Sequence, residues 1–200
     1  MANMSSSVRA VRRRCSEANA VQVLDNSISM EVSAASPEDC EAVAQVHVAG
    51  WQAAYANILD PAFLASLSIE RRAESWRRVL AEGKSELLVG RVGSSVVGFA
   101  SFGPSRDADA PAGRGELWAL YLDPQAWSTG VGRTLWLAAR ERLLSLRFSS
   151  VSLWVLERNA RAIRFYCAAG FTIEAGSGKE FELGGTKVRE VRMVAPLQPH

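Results

Sequence analysis

Leu122-Asp-Pro-Gln-Ala-Trp-Ser-Thr-Gly-Val-Gly-Arg-Thr-Leu-Trp136 is the stretch whose reading decides the fold. It reads as the end of a strand, a tight Gly-containing loop and the start of a helix. Such a junction aims several free backbone N–H groups, and the positive end of a helix dipole, at one point. That is a site for a phosphate or pyrophosphate. Gly130-Val131-Gly132 is not a P-loop, because no Lys-Ser/Thr follows it. Nor is it a dinucleotide fingerprint, because the third Gly is missing and Arg133 sits where the helix begins. Taken alone, a Gly-x-Gly loop reads equally well as an ordinary turn.

A second stretch lies about thirty residues on: Asn159-Ala-Arg-Ala-Ile-Arg-Phe-Tyr-Cys-Ala-Ala-Gly-Phe171. It predicts a short helix with Asn159 as N-cap, Gly170 at its C-terminal end, and Phe165 and Tyr166 in its body. The two stretches frame a longer order: strand with an acidic residue, Pro, Gly-x-Gly, helix, apolar strand, Asn-capped helix with Phe-Tyr, then Gly-Phe. From about Met30 to Leu197 this order resembles the GNAT family of N-acetyltransferases.

Outward from there, Ser29–Ala35 has the pattern of a first strand. Ser36-Pro37-Glu38-Asp39 predicts a helix start, with Ser as cap, Pro at the first helical position and acids in the first turn. That helix runs to about Tyr55. Helices are expected over Pro61–Leu67 and Ile69–Leu80. A hairpin is expected from Glu86–Arg91 and Ser95–Phe102, turning at Val92-Gly93-Ser94. Gly103–Gly115 reads as a loop, Glu116–Leu122 as a strand, Val131–Leu146 as a helix and Val151–Leu156 as a buried strand. Phe171–Ala175 and Val188–Val194 are the expected last strands, with a turn around Gly184-Gly185. Strands alternating with helices, with hairpins at both ends, make an α/β domain around a mixed sheet. The resemblance implies about seven strands, mostly antiparallel, flanked by helices, with parallel fourth and fifth strands that splay apart.

Composition narrows the function. The chain has 200 residues, 48% hydrophobic and 22% charged, enough for one domain with a substantial core. Residues 1–29 hold four Arg (9, 12, 13, 14) and two acids (Glu17, Asp25), so the remainder carries 19 basic and 19 acidic residues. A neutral domain offers no electrostatic footprint for nucleic acid. Cys15, Cys40 and Cys167 show no paired spacing, so neither a disulfide framework nor a metal site is suggested, and a reducing, cytoplasmic setting fits. No apolar run approaches the ~20 residues that cross a membrane. Residues 1–28 are Ser- and Arg-rich without an apolar segment and read as a disordered tail, with a transit peptide or an upstream start as alternatives. The domain proper is expected over 29–198.

The resemblance assigns roles to particular residues. Acetyl-CoA becomes the expected cosubstrate, with no metal. Backbone N–H groups of Trp127, Ser128, Thr129, Gly130, Val131 and Gly132 hold the pyrophosphate, and Gly130 and Gly132 permit close approach. The family usually has Gln or Arg where Trp127 stands. Arg133 adds charge, or is simply a solvated helix residue. Main-chain groups of Leu120, Tyr121 and Leu122 pair with the pantetheine arm as an added strand would. Asn159 and Phe165 complete the coenzyme site.

Chemistry falls to Glu116 and Tyr166. An aliphatic ammonium has a pKa of about 10, so a base must take its proton before it can attack. Glu116 lies six residues before Leu122, where several family members keep a general base. Even spacing would put it on the face of Trp118, Leu120 and Leu122. The alternative is a loop-edge Glu just after Gly113-Arg114-Gly115, solvated or paired with Arg114. Tyr166 is the expected general acid for the leaving thiolate; its alternative is aromatic packing.

His47, Trp51 and Tyr55 form one helical stripe. In the family this region borders the acceptor pocket, although such a stripe is also ordinary core packing. Asp107 and Asp109 could attract a cationic amine or stand solvated in a mobile loop. The expected reaction is direct acetyl transfer to a small-molecule amine or a peptide N-terminus in a ternary complex, with a homodimer possible. The rivals are an acyl-CoA-binding module without transfer, and transfer of another acyl group or to another acceptor.

Overall fold

The computed structural model describes residues 30–198. The tail expected over 1–28 lies outside that range, as does Ser29. Strand β1 (Met30–Ala34) leads through a single 3₁₀ turn, Pro37–Asp39, into α1 (Cys40–Ala54). The Asp39 carboxylate accepts from the Ser36 N–H at 2.9 Å and from its hydroxyl at 3.2 Å, closing the helix start back on itself. Helices α2 (Pro61–Ala65) and α3 (Ile69–Glu82) follow, with the Asp60 and Ser68 side chains as caps. Then come β2 (Glu86–Val92), β3 (Ser95–Pro104), β4 (Arg114–Leu122), α4 (Val131–Ser145), β5 (Ser150–Leu156) and α5 (Ala160–Ala168). Three strands close the chain: β6 (Thr172–Ile173), β7 (Lys179–Leu183) and β8 (Thr186–Pro196).

The sheet has eight strands in the order β1-β2-β3-β4-β5-β8-β6, with β7 also on β8. That is one more than the sequence pattern predicts. The turn at Gly184-Gly185 is real, but it joins β7 to β8. β7 reads Lys-Glu-Phe-Glu-Leu, has no β-branched residue, and is exposed except at Leu183. Neither propensity nor burial marks such a strand.

Two features of β4 set its surroundings. It pairs with β5, in parallel, only from Arg114 to Glu116 against Ser150 to Ser152. Beyond that β4 stays with β3 and β5 with β8, so their C-terminal ends part. The second feature is a bulge: Ser101 faces Ala119 but Phe102 faces Leu117, which leaves Trp118 as the extra residue. Leu117, Leu120 and Leu122 consequently share one core cluster with α4 and α5, while Ala119 and Tyr121 pack with α1 and α3. Glu116 therefore does not share a face with Leu120 and Leu122, as even spacing predicts. It points to the opposite side of the sheet.

Candidate active site

A cleft of about 730 Å³ opens where β4 and β5 part. Its walls are Leu117 to Leu122, Trp154 and Val155, the end of α1, the loop before α4, and α5. The loop is set by Asp123, whose side chain accepts from the Gln125 N–H at 2.8 Å. Trp127 donates its N–H to the Pro124 carbonyl (3.3 Å), so that donor is already used. The N–H groups of Ser128, Thr129 and Gly130 find no acceptor among the described residues. Those of Val131, Gly132 and Arg133 belong to the first turn of α4, where none has an intrahelical acceptor.

Gly130 holds φ +94°, and a Cβ there would meet nothing within 4 Å, so the loop's floor is open. A Cβ on Gly132 would press on Leu122 at 3.2 Å and Phe165 at 3.4 Å, so this glycine also serves the seating of α4. Leu120, Tyr121, Leu122, Trp127, Ser128, Gly130, Gly132, Arg133, Asn159 and Phe165 all line the cleft. Thr129 and Val131 do not: the Thr129 hydroxyl donates to the Ala126 carbonyl, and the Val131 side chain is core.

Three phenols meet in the same cleft. Tyr166 packs edge-on against Phe165 and Phe171, with centroids 5.2 and 5.6 Å away. Burial, with Tyr121 nearby, pushes its hydroxyl above the usual phenol range, so it is a proton carrier at neutral pH. Tyr55 and Tyr121 place their hydroxyls 3.3 Å apart. Burial raises both. The Tyr121 side chain was not legible from sequence, since the bulge decides which way it faces. The side-chain oxygen of Asn159 accepts the Ala162 N–H at 3.2 Å and so caps α5.

Of the stripe on α1, only Tyr55 reaches the cleft. His47 is a core ring. Its Nδ1 accepts from the Trp76 indole at 3.2 Å and its face stacks on Tyr121 at 4.7 Å. Burial, aided by the charge of Arg72, lowers it to about 3, so it stays neutral. Trp51 stands edge-on behind Tyr55 at 5.3 Å.

Glu116 is 1% exposed and does not line the cleft, although its neighbour Trp118 does. Arg106 holds both of its oxygens. The Arg106 N–H donates at 2.8 Å, its Nε at 3.0 Å, and Nη2 closes the pair. The guanidinium lies 4.6 Å from the Trp118 ring centroid. Arg114 pairs instead with Glu174. Asp107 and Asp109 are not free acids on a mobile loop. Asp107 accepts from the Trp154 indole (3.0 Å) and from Arg192 (3.0 Å), and Asp109 takes the Arg192 fork at 2.7 Å twice. Arg192 also pairs with Glu174. Burial works against the Asp107 charge, but the Arg192 and Trp154 hydrogen bonds outweigh it and lower its pKa. The same fork holds Asp109 at about 2. The loop between β3 and β4 is thus fastened to β8. Among the described residues no cluster of His, Cys, Asp or Glu is placed to hold a metal ion, and no helix is long and apolar enough to cross a membrane.

The model of the acetyltransferase (GNAT) family matches residues 52–171. The chain belongs to that family. It is 35% identical over 159 residues to an uncharacterized N-acetyltransferase, YuaI, of Bacillus subtilis, covering 80% of this chain and 88% of that one. It is 40% identical over 124 residues to a mycothiol acetyltransferase of Acidothermus cellulolyticus, covering 58% of this chain and 37% of the other. Among solved structures, the PaiA N-acetyltransferase of Thermoplasma acidophilum in complex with coenzyme A has the same fold, with TM-score 0.65 and 24% identity. That match covers 84% of this chain and 99% of that one. The chain is an N-acetyltransferase of the GNAT family.

Proposed function

We propose that this N-acetyltransferase moves the acetyl group of acetyl-CoA to a primary amine by direct transfer, with donor and acceptor held together in the cleft. One observation carries the reading: the open loop before α4, the unpaired edge of β4 and Tyr166 all border a single cavity. The donor fits those residues. Loop N–H groups and the start of α4 suit a diphosphate. The edge of β4 freed beyond Glu116 suits an arm bearing amide groups. Bound there, the coenzyme supplies an acetyl thioester.

Tyr166 donates its proton to the sulfur that leaves, and its raised pKa keeps that proton available at neutral pH. The acceptor comes from the side of Tyr55, Tyr121, Trp118 and Trp154, where aromatic faces suit an amine with apolar substituents. Glu116 takes the acceptor's proton once Arg106 has moved off it, directly or through water. A second reading of the proton's path, in which water alone takes it, is favoured by one observation: Arg106 occupies both Glu116 oxygens.

Thiol release from acetyl-CoA, measured across a panel of amines and amino-terminal peptides with product masses, tests the transfer to an amine. The expected result is acceptor-dependent thiol release with an acetylated product. Coenzyme A binding without release on any amine would overturn the amine acceptor.

A further inference from the structure

Three charged side chains line the cleft, Arg133, Arg161 and Arg164, and no carboxylate lines it. All three stand at the loop end. Among the described residues none of them meets an acidic partner. Arg133 is in the first turn of α4, beside the free N–H groups. Arg161 and Arg164 are on the opposite wall, three residues apart on α5 and so on one helical face. Arg161 reaches across the cleft to the loop, where its guanidinium lies 3.3 Å from the centroid of the Trp127 ring.

This contact has a chemical direction. Stacking occupies the face of a guanidinium and leaves its N–H fork, which lies in the plane, free for an anion. Trp127 therefore fixes Arg161 without using any of its donors. Burial, with Arg164 as a like charge, works against the Arg161 charge, a cost that an anion between the two would remove. The loop has donors enough for a diphosphate. Coenzyme A carries a further phosphate, a monoester on its ribose, and the loop's backbone offers that group no formal charge.

Resting on the coenzyme reading above, we propose that Arg161, held over Trp127 beside Arg164, receives the ribose 3′-phosphate, so that the site distinguishes coenzyme A from its 3′-dephospho form.

Calorimetric titration of the intact protein with each of the two coenzymes tests this without reference to turnover. The wild-type chain should bind coenzyme A roughly tenfold or more tighter than 3′-dephospho-coenzyme A, the scale of one charge-assisted contact. Arg161→Gln should bring coenzyme A to within about threefold of the dephospho form, whose own affinity stays unchanged. Arg161→Lys keeps the charge but loses the planar fork, and should retain part of the preference. Wild-type affinities within about twofold of each other would overturn the inference alone. So would an equal weakening of both ligands by Arg161→Gln, which would assign the arginine to the shared diphosphate. A wild-type chain that binds neither coenzyme would overturn the coenzyme reading itself.

Discussion

On the side of the cleft proposed for the donor the available groups are mostly backbone: loop N–H groups, the free edge of β4 and the first turn of α4. They follow one another within Glu116 to Arg133, and a short stretch of sequence dictates them. On the acceptor side the groups are side chains carried in from distant segments. Tyr55 comes from the end of α1 and Trp154 from β5, and behind Trp154, outside the cleft, Asp107 from the loop after β3 accepts its indole and is held by Arg192 of β8. On the proposed reading, donor binding rests on local conformation and acceptor binding on tertiary assembly. A substitution should therefore read out differently on the two sides. Donor-side changes should act on coenzyme affinity, and acceptor-side changes on turnover or on the integrity of the assembly.

Tyr166 stands at the seam of the two halves, and its removal should be felt most. Tyr166→Phe keeps the ring against Phe165 and Phe171 but removes the donor. Turnover should fall by about 10²–10⁴, with acetyl-CoA affinity little changed. Steady-state kinetics showing a rate within about twofold of wild type would exclude acid catalysis by this residue.

Arg192 tests whether the acceptor side depends on assembly. Replacing it with Met leaves the Asp107 carboxylate, 9% exposed, without its main cation, and should cost about 3 kcal/mol in denaturant unfolding. The acid limb should change as well. Asp107 and Asp109 are both depressed in the folded state, so their contribution is complete above their unfolded value of 3.8. It is lost as pH falls from there toward about 2. Thermal midpoints recorded against pH should fall through that window in the wild type, and fall less in Arg192→Met.

Glu116→Gln should lower amine turnover by about 10² near neutral pH while coenzyme binding persists. The loss should shrink at high pH, where the free amine is already abundant. A pH–rate profile that shifts in parallel with wild type, with no such recovery, would leave Glu116 as the partner of Arg106 and nothing more.

The smallest expected effect is on the donor side. Gly130→Val places a β-branched residue at φ +94° and a side chain on the open floor of the loop. Coenzyme affinity should drop about tenfold with the circular dichroism spectrum preserved. An unchanged titration would break the assignment of that loop.

Legibility in the sequence followed the same division. The order of strands and helices, the cap at Asn159 and the loop at Gly130 could be read because each is encoded by adjacent residues. The splay of β4 from β5 came with the family likeness. The facing of Glu116 could not be read, because a bulge at Trp118 inverts the alternation and no local rule marks it. Nor could the fate of Asp107 and Asp109, whose partner Arg192 is more than eighty positions away. His47 and Trp51 share the spacing of Tyr55, but only the last, itself buried, lines the cleft. His47 packs on Trp76 and Phe99 from α3 and β3, and no local rule predicts those contacts.

The extra residue in β4 has a consequence for how such a chain can change. Alternation along a strand is binary, so drawing Trp118 into regular pairing would slide the upstream segment by one position and turn Glu116 over, into the apolar cluster beneath α4, while the Leu120–Leu122 segment kept its register. The strand is thus punctuated into two reading frames. Substitutions upstream of the bulge leave the facing of Leu120 and Leu122 as it is. Glu116 and Leu120, evenly spaced in sequence, stand on opposite faces of one strand because a single unpaired residue separates them.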